Sequence, residues 1–230
     1  MGFLEGKLSM RRTEAGEASG ANALHVQRRP LSYGALGHYT VACVTGTMGA
    51  DIAADSEVLQ FRWTHTTRLA VLQSVRINSF FSGSIAFVAG IAQFDATIAR
   101  SWSAAGSGGT TLTVTGNNAK TRTSMAASSV GEIRVATTAA LGAGTKTLDT
   151  NRVGSLQFAI TASPTVGFLA AGASLIGQSR ERAGEFFQRR AAQHPLVLAQ
   201  NEGVSIRTTL PITGTWAASF ALRWAEVTVH

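Results

Sequence analysis

The stretch PLVLAQNEGVSIRTTLPITGTWAASFALRWAEV, residues 195–227, decides the fold class. Its second half sets Trp216, Ala218, Phe220, Leu222 and Trp224 against Ala217, Ser219, Ala221, Arg223 and Ala225. Strand side chains alternate between faces with period two, whereas a helix groups every third or fourth residue. The pattern therefore spells a strand with one bulky face and one small face. Upstream, LVLAQ reads as a strand, Asn201-Glu202-Gly203 as a turn with glycine available for a positive φ, and VSIRTTL as the antiparallel return. Pro211 to Thr215 makes the next turn, because Pro and Gly interrupt ladders. A face of Ala and Ser suits close approach by another sheet or subunit; burial of both faces inside one domain is the alternative.

The same period extends toward the N-terminus. EVLQFRWTH (57–65) puts Leu59, Phe61 and Trp63 on one side and Gln60, Arg62 and Thr64 on the other, a half-buried strand. RLAVLQSVRINSFF (68–81) groups Val71, Val75 and Ile77 against Arg76 and Asn78. SIAFVAGIAQFDATIARSW (84–102) alternates Phe94, Ala96 and Ile98 with Gln93, Asp95 and Thr97, and Gly90 marks a bulge or bend. TTLTVTG (110–116), GEIRVATT (131–138) and SLQFAIT (155–161) are shorter strands between the Gly-rich connections SAAGSGGT and LGAGTKTLDTN. RERAGEFFQRRAAQ (180–193) reads as part of a long excursion in which 180–192 is either a short helix, weakened by Gly184, or a loop. Many strands with no βα alternation predict an all-β chain: an antiparallel β-sandwich, jelly-roll-like, with an extended N-terminal arm.

That arm is residues 1–31, which carry Arg11, Arg12, Arg28 and Arg29 with few large apolar side chains. Such a composition buries too little to offset chain entropy, so the arm is expected to be extended or disordered unless bound. Residues 32–230 form the single sandwich domain. Of the 230 residues, 45% are hydrophobic and only 14% charged, below the roughly 25% of an average soluble domain. A surface so poor in charge is expected to be covered in part by other protein. No apolar run reaches the roughly 18 to 20 residues of a membrane helix and no signal peptide is evident, so the chain as written is expected in the cytoplasm where it is made, with no membrane partner.

The net charge of +7 raises nucleic-acid binding. The cations come one at a time along the strands, which fits solvated sheet faces better than a phosphate-binding groove, and no nucleic-acid partner is expected. Cys43 is the single cysteine and excludes an intramolecular disulfide; a buried, inert thiol is expected. The five histidines show no metal-ligand spacing, and His65 reads as a structural histidine at a strand end. Asp95 and Glu226 are the one carboxylate pair imaginable for glycoside hydrolysis, but strand carboxylates of this kind usually meet Arg or water. GSGGT (106–110) and GAGTKT (142–147) lack the phosphate-loop pattern, and no nucleophile elbow is present. Neither enzyme chemistry, a metal nor a cofactor is expected.

Three strings, SEVLQFRWTHTTRLAVLQSVRI, TGNNAKTRTSMAASSVGEIRVATTAALGAGTKTLDT and HPLVLAQNEGVSIRTTLPITGTWAASFALRWAEV, resemble those of a group of tailed-bacteriophage virion proteins, from about residue 32 onward. The resemblance implies a capsid-associated or tail-associated β-sandwich, and within it a head decoration (cement) protein. Such a protein is a homotrimer seated between capsomers on the head surface of the virion, its partner the major capsid protein. The contact residues expected are Arg11, Arg12, Arg28 and Arg29 in the arm and Trp216 and Trp224 in the last strand. A tail or fibre component whose sandwich loops bind a host-surface glycan or protein is the alternative.

Overall fold

In the computed structural model the chain divides between Ser32 and Tyr33 into two units. The structure describes residues 36–49, 51–82, 89–160, 168–170, 184–188 and 195–228, all in the second unit. Arg11, Arg12, Arg28 and Arg29 lie outside the described residues.

The described residues hold β1 (Gly37–Val44), β2 (Met48–Gly49), β3 (Ser56–Trp63), β4 (Leu69–Ser82), β5 (Gly90–Ala104), β6 (Thr110–Thr111), β7 (Glu132–Val135), β8 (Thr145–Ile160), β9 (Phe168–Ala170), β10 (Glu185–Gln188), β11 (Leu196–Leu198), β12 (Glu202–Thr209) and β13 (Thr215–Val227), and no helix. Sheet A runs β1-β13-β4-β10, with β2 beside β13 and with β9 and β11 also beside β4; sheet B runs β6-β7-β3-β12-β5-β8. Every pairing is antiparallel. The order follows from folding the chain back on itself once. β1 meets β13, β3 meets β12, β4 meets the short strands β9 to β11, and β5 meets β8. Rolling that long hairpin into two layers makes a jelly roll, so the all-β, antiparallel sandwich is as the sequence predicts.

The core between the layers is aromatic. From sheet A, Trp224 stacks on Tyr39 at 5.4 Å and meets Phe61 of sheet B edge-on at 5.4 Å. Phe94 of sheet B touches Trp216 and Phe220 of sheet A edge-on at 5.8 and 6.3 Å. Each buried indole finds an acceptor for its N–H, as a buried tryptophan requires: Trp63 donates to Arg68 O at 2.7 Å, Trp216 to Gly49 O at 2.9 Å and Trp224 to Glu226 Oε1 at 3.4 Å.

Several local expectations are corrected. LVLAQ and VSIRTTL do not form a hairpin: β11 pairs with β4 in sheet A, while β12 pairs with β3 and β5 in sheet B. The turn between them carries the chain across the sandwich, and Asn201, not Gly203, takes the positive φ of 61°. Gly203 is needed for a different reason. A Cβ there would meet the Trp102 ring at 2.7 Å and collide with the carbonyl oxygen of Phe61.

In β4 the pairing to β13 slips between Arg223 and Trp224, so Leu72 opposes Trp224 and Val71 opposes Ala225. The extra residue, Gln73, moves Val71 to the outer face, where it packs with Ala225 and Val227, while Leu72, Val75 and Ile77 face the core. Within 180–192, Glu185–Gln188 is a strand rather than a helix; it pairs with β4 through a bulge, and Phe186 is buried. Residues 180–183 and 189–192 lie outside the described residues. Only Thr110–Thr111 of TTLTVTG is strand, and β8 begins at Thr145, inside the stretch read as a Gly-rich connection.

Candidate interaction surface

Sheet B presents a polar outer face that is buried far more than its alternation suggests. Glu57, Gln60, Asp95, Thr97 and Ser205 are all buried. The two Gly-rich loops cause part of this. They bridge each other at Ser107 and Gly142, and Leu141 bridges Glu57, which brings 104–109 and 141–146 over β3. Beneath them Lys146 Nζ reaches Glu57 Oε2 at 2.8 Å and the carbonyl of Ala143, and sits 4.2 Å from the centre of the Trp102 ring. Gln60 Nε2 donates to Glu57 Oε2 at 2.6 Å and to Gly142 O at 3.0 Å. Trp102 is fully buried against Gly203, outside the inter-sheet core. Burial lowers the Lys146 pKa, and the Glu57 carboxylate acts against that shift. The loops singled out in the sequence are thus pinned by a buried ion pair.

A second constellation spans β5, β8 and β12. Arg152 Nε meets Asp95 Oδ2 at 3.0 Å, Gln93 donates to the same oxygen at 2.8 Å, and both Arg152 and Arg207 stand 3.8 Å from Asp55. Arg207 Nη2 donates to Thr97 Oγ1 at 3.3 Å. The third lies on the inward side of β13. Glu226 is fully buried, and its Oε1 accepts from Ser128 Oγ at 2.7 Å and Ser129 N at 2.8 Å, with Arg68 3.9 Å from Oε2. Asp95 and Glu226 therefore belong to different sheets, each with its own partners, and do not face one cleft. His65 Nδ1 accepts from the N–H groups of Thr67 and Arg68 at 3.2 Å, which makes it a turn cap. Among the described residues no group of His, Cys, Asp and Glu is arranged to hold a metal ion, and no helix is long and apolar enough to cross a membrane.

Trp216 and Trp224 are 1% and 0% exposed, with both indoles in the core. They do not offer surface to a partner, because the bulky face of β13 is the one turned inward. The small face is turned outward. On it Thr40, Ala42 and Val44 of β1 lie beside Arg223, Ala221 and Ser219 of β13, pair by pair, and on the other side Arg223 and Ala221 stand opposite Ser74 and Arg76 of β4. Thr40, Ala42, Val44 and Arg223 are exposed, Val44 at 62%. β1 is also an edge strand. Thr40 donates to Ala119 O and His38 O accepts from Thr121 N, so one half of that edge is covered by the segment 119–121. This outer face was legible as the Ala and Ser side of the last strand; the edge beside it was not, since β1 carries no marker of its position.

The thiol of Cys43 and the phenol of Tyr39 are held in the protonated state. Burial pushes each up to about 12, for Tyr39 with a further push from the Glu226 carboxylate. Compared with known proteins, the chain matches no family model, no curated protein and no solved structure.

Proposed function

We propose that this chain is a structural protein of a tailed-phage virion, a decoration (cement) protein that sits between capsomers as a homotrimer and braces the major capsid protein. The observation that supports a structural role is the use made of the buried carboxylates. Glu57, Asp95 and Glu226 each fasten a loop or a neighbouring strand. On the small-residue face of sheet A, Thr40, Ala42, Val44 and Arg223 are exposed and suit contact with another protein. The virion assignment itself rests on the resemblance of residues 32–230 to phage structural proteins.

The mechanism is additive. Several weak contacts from one oligomer to several shell subunits give a joint attachment roughly 10² to 10⁴ times stronger than one contact when geometry permits simultaneous engagement. The net charge of +7 favours encounter with an acidic shell. In this reading the segment with Arg11, Arg12, Arg28 and Arg29 adds a further contact. The test is a cryo-EM reconstruction of purified particles. Threefold-related density bridging capsomers is expected; density for this chain confined to the tail or its fibres, or its absence from the particle, sinks the reading.

A further inference from the structure

We propose that the chain carries an amide-forming site in which Lys146 and Gln60 become joined side chain to side chain, with Glu57 as the proton carrier. The inference goes beyond the structural reading above and uses no part of the virion assignment.

A bulge builds the site. Glu57 and Gln60 are three residues apart on β3, a spacing that puts side chains on opposite faces of a regular strand. The pairing with β12 slips there: Leu59 opposes Ile206 and Glu57 opposes Arg207, so Val58 is the extra residue. Val58 and Leu59 both enter the core, and Glu57 is turned to the side of Gln60. Bulges re-aim side chains in this way, often next to reactive sites. Glu57 Oε2 then accepts from two nitrogens, Gln60 Nε2 at 2.6 Å and Lys146 Nζ at 2.8 Å. Amine and carboxamide are thus neighbours that bracket one carboxylate oxygen.

The three groups are also confined. The Lys146 and Glu57 side chains are 2% and 7% exposed, and Gln60 is buried. Ala143 O holds Lys146 Nζ over the Trp102 ring, Gly142 O takes a second hydrogen bond from Gln60 Nε2, and a Cβ on Gly106 would run into Gln60 Oε1. Burial favours the neutral form of the Lys146 amine, the form that is a nucleophile. The contacts are those that transamidation requires. The Lys146 ammonium passes a proton to Glu57, and the freed Nζ attacks Cδ of Gln60. The Nζ–Cδ bond forms, Glu57 gives its proton to Nε2, and the Cδ–Nε2 bond breaks to release ammonia. The surplus proton on Nζ then passes through Glu57 to the ammonia, which leaves as ammonium, and Glu57 is again a carboxylate. No oxidant or co-reactant is consumed. The product ties β3 to β8 by a covalent bond; before reaction the groups form the ion pair described above.

The test is intact-mass spectrometry of the purified full chain, repeated over days of incubation. The chain should become lighter by one ammonia. Its tryptic digest should contain a branched peptide that joins the residues around Gln60 to those around Lys146, with no cleavage after Lys146. Lys146→Arg keeps a cation but removes the nucleophile, and should lose no ammonia. Glu57→Gln should slow conversion about 10²- to 10⁴-fold, the range of general acid–base catalysis. Circular dichroism reports whether both variants fold; if either does not, the branched peptide of the parent chain decides alone. The proposal is overturned by a parent chain that keeps its full mass, by ammonia loss that maps to other residues such as Asn117 or Asn118, or by folded Glu57→Gln converting at the parent rate. None of these outcomes depends on particles, so absence of the chain from purified heads would remove the virion reading and leave this test standing.

Discussion

At the scale of the residue, adjacent positions on β13 have opposite weights. Trp224 is enclosed by Tyr39, Phe61 and the Glu226 carboxylate, while Arg223 next to it points to solvent. Trp224→Ala should cost about 3–5 kcal/mol through lost contacts and a cavity, and Arg223→Ala should stay within about 0.5 kcal/mol; urea unfolding of the two variants checks both. The same neighbourhood sets an alkaline limit. The folded chain holds the protons of Cys43 and Tyr39 to about 12, against 9.0 and 10.0 for the ordinary groups. The folded state thus binds these protons more tightly than the unfolded chain, and stability falls as pH rises through the window from about 9 to about 12. Lys146, lowered from 10.5, acts in the opposite sense below that value. Unfolding measured across this window should show a shallower decline for Tyr39→Phe than for the parent chain. Residue by residue, the alternation of Trp216 to Trp224 and of Leu59 to Trp63 was readable because each lies in an unbroken period of two. Trp102 was not, because its burial depends on Gly203, about a hundred positions away in the chain.

At the scale of the element, errors arise where a strand departs from ideal period or where its partner is distant. The bulge at Gln73 reverses Val71 with no sequence marker such as glycine. LVLAQ and VSIRTTL look like a hairpin because they are adjacent, yet their hydrogen bonds go to β4 and to β3 and β5. The outer face of sheet B was expected to be solvated, and the loops 104–109 and 141–146 cover part of it instead. The strength of that cover can be tested. The Lys146 side chain is 2% exposed, and Lys146→Met leaves Glu57 as a buried carboxylate without its cation. Removal of one partner from a buried pair costs about 3–5 kcal/mol. Lys146→Met should approach that loss in urea unfolding and speed amide exchange in both loops. The double variant Glu57→Leu with Lys146→Met should recover part of the stability, because it leaves no unpaired charge.

At the scale of the whole molecule, the fold class follows from strand count and turn composition, but the pairing of strands far apart in sequence is visible only in the structure. Proposed oligomer contacts belong to this scale as well. Removal of residues 1–30 should leave the sandwich folded, with the circular-dichroism spectrum and thermal midpoint of its β core. Such a chain should no longer attach to phage heads; undiminished attachment would assign the contact to the sandwich itself. The jelly-roll order also fixes when the sandwich can close. β13 is flanked by β1 and β4 in sheet A, and among the described residues it follows both in the chain. On the ribosome, β1 and β4 therefore wait, unjoined, while more than a hundred residues are made, with the aromatic face that Trp216 and Trp224 will complete still open to water. Sheet A cannot close until β13 has been made, and the interval before that is when its aromatic face is most exposed to aggregation.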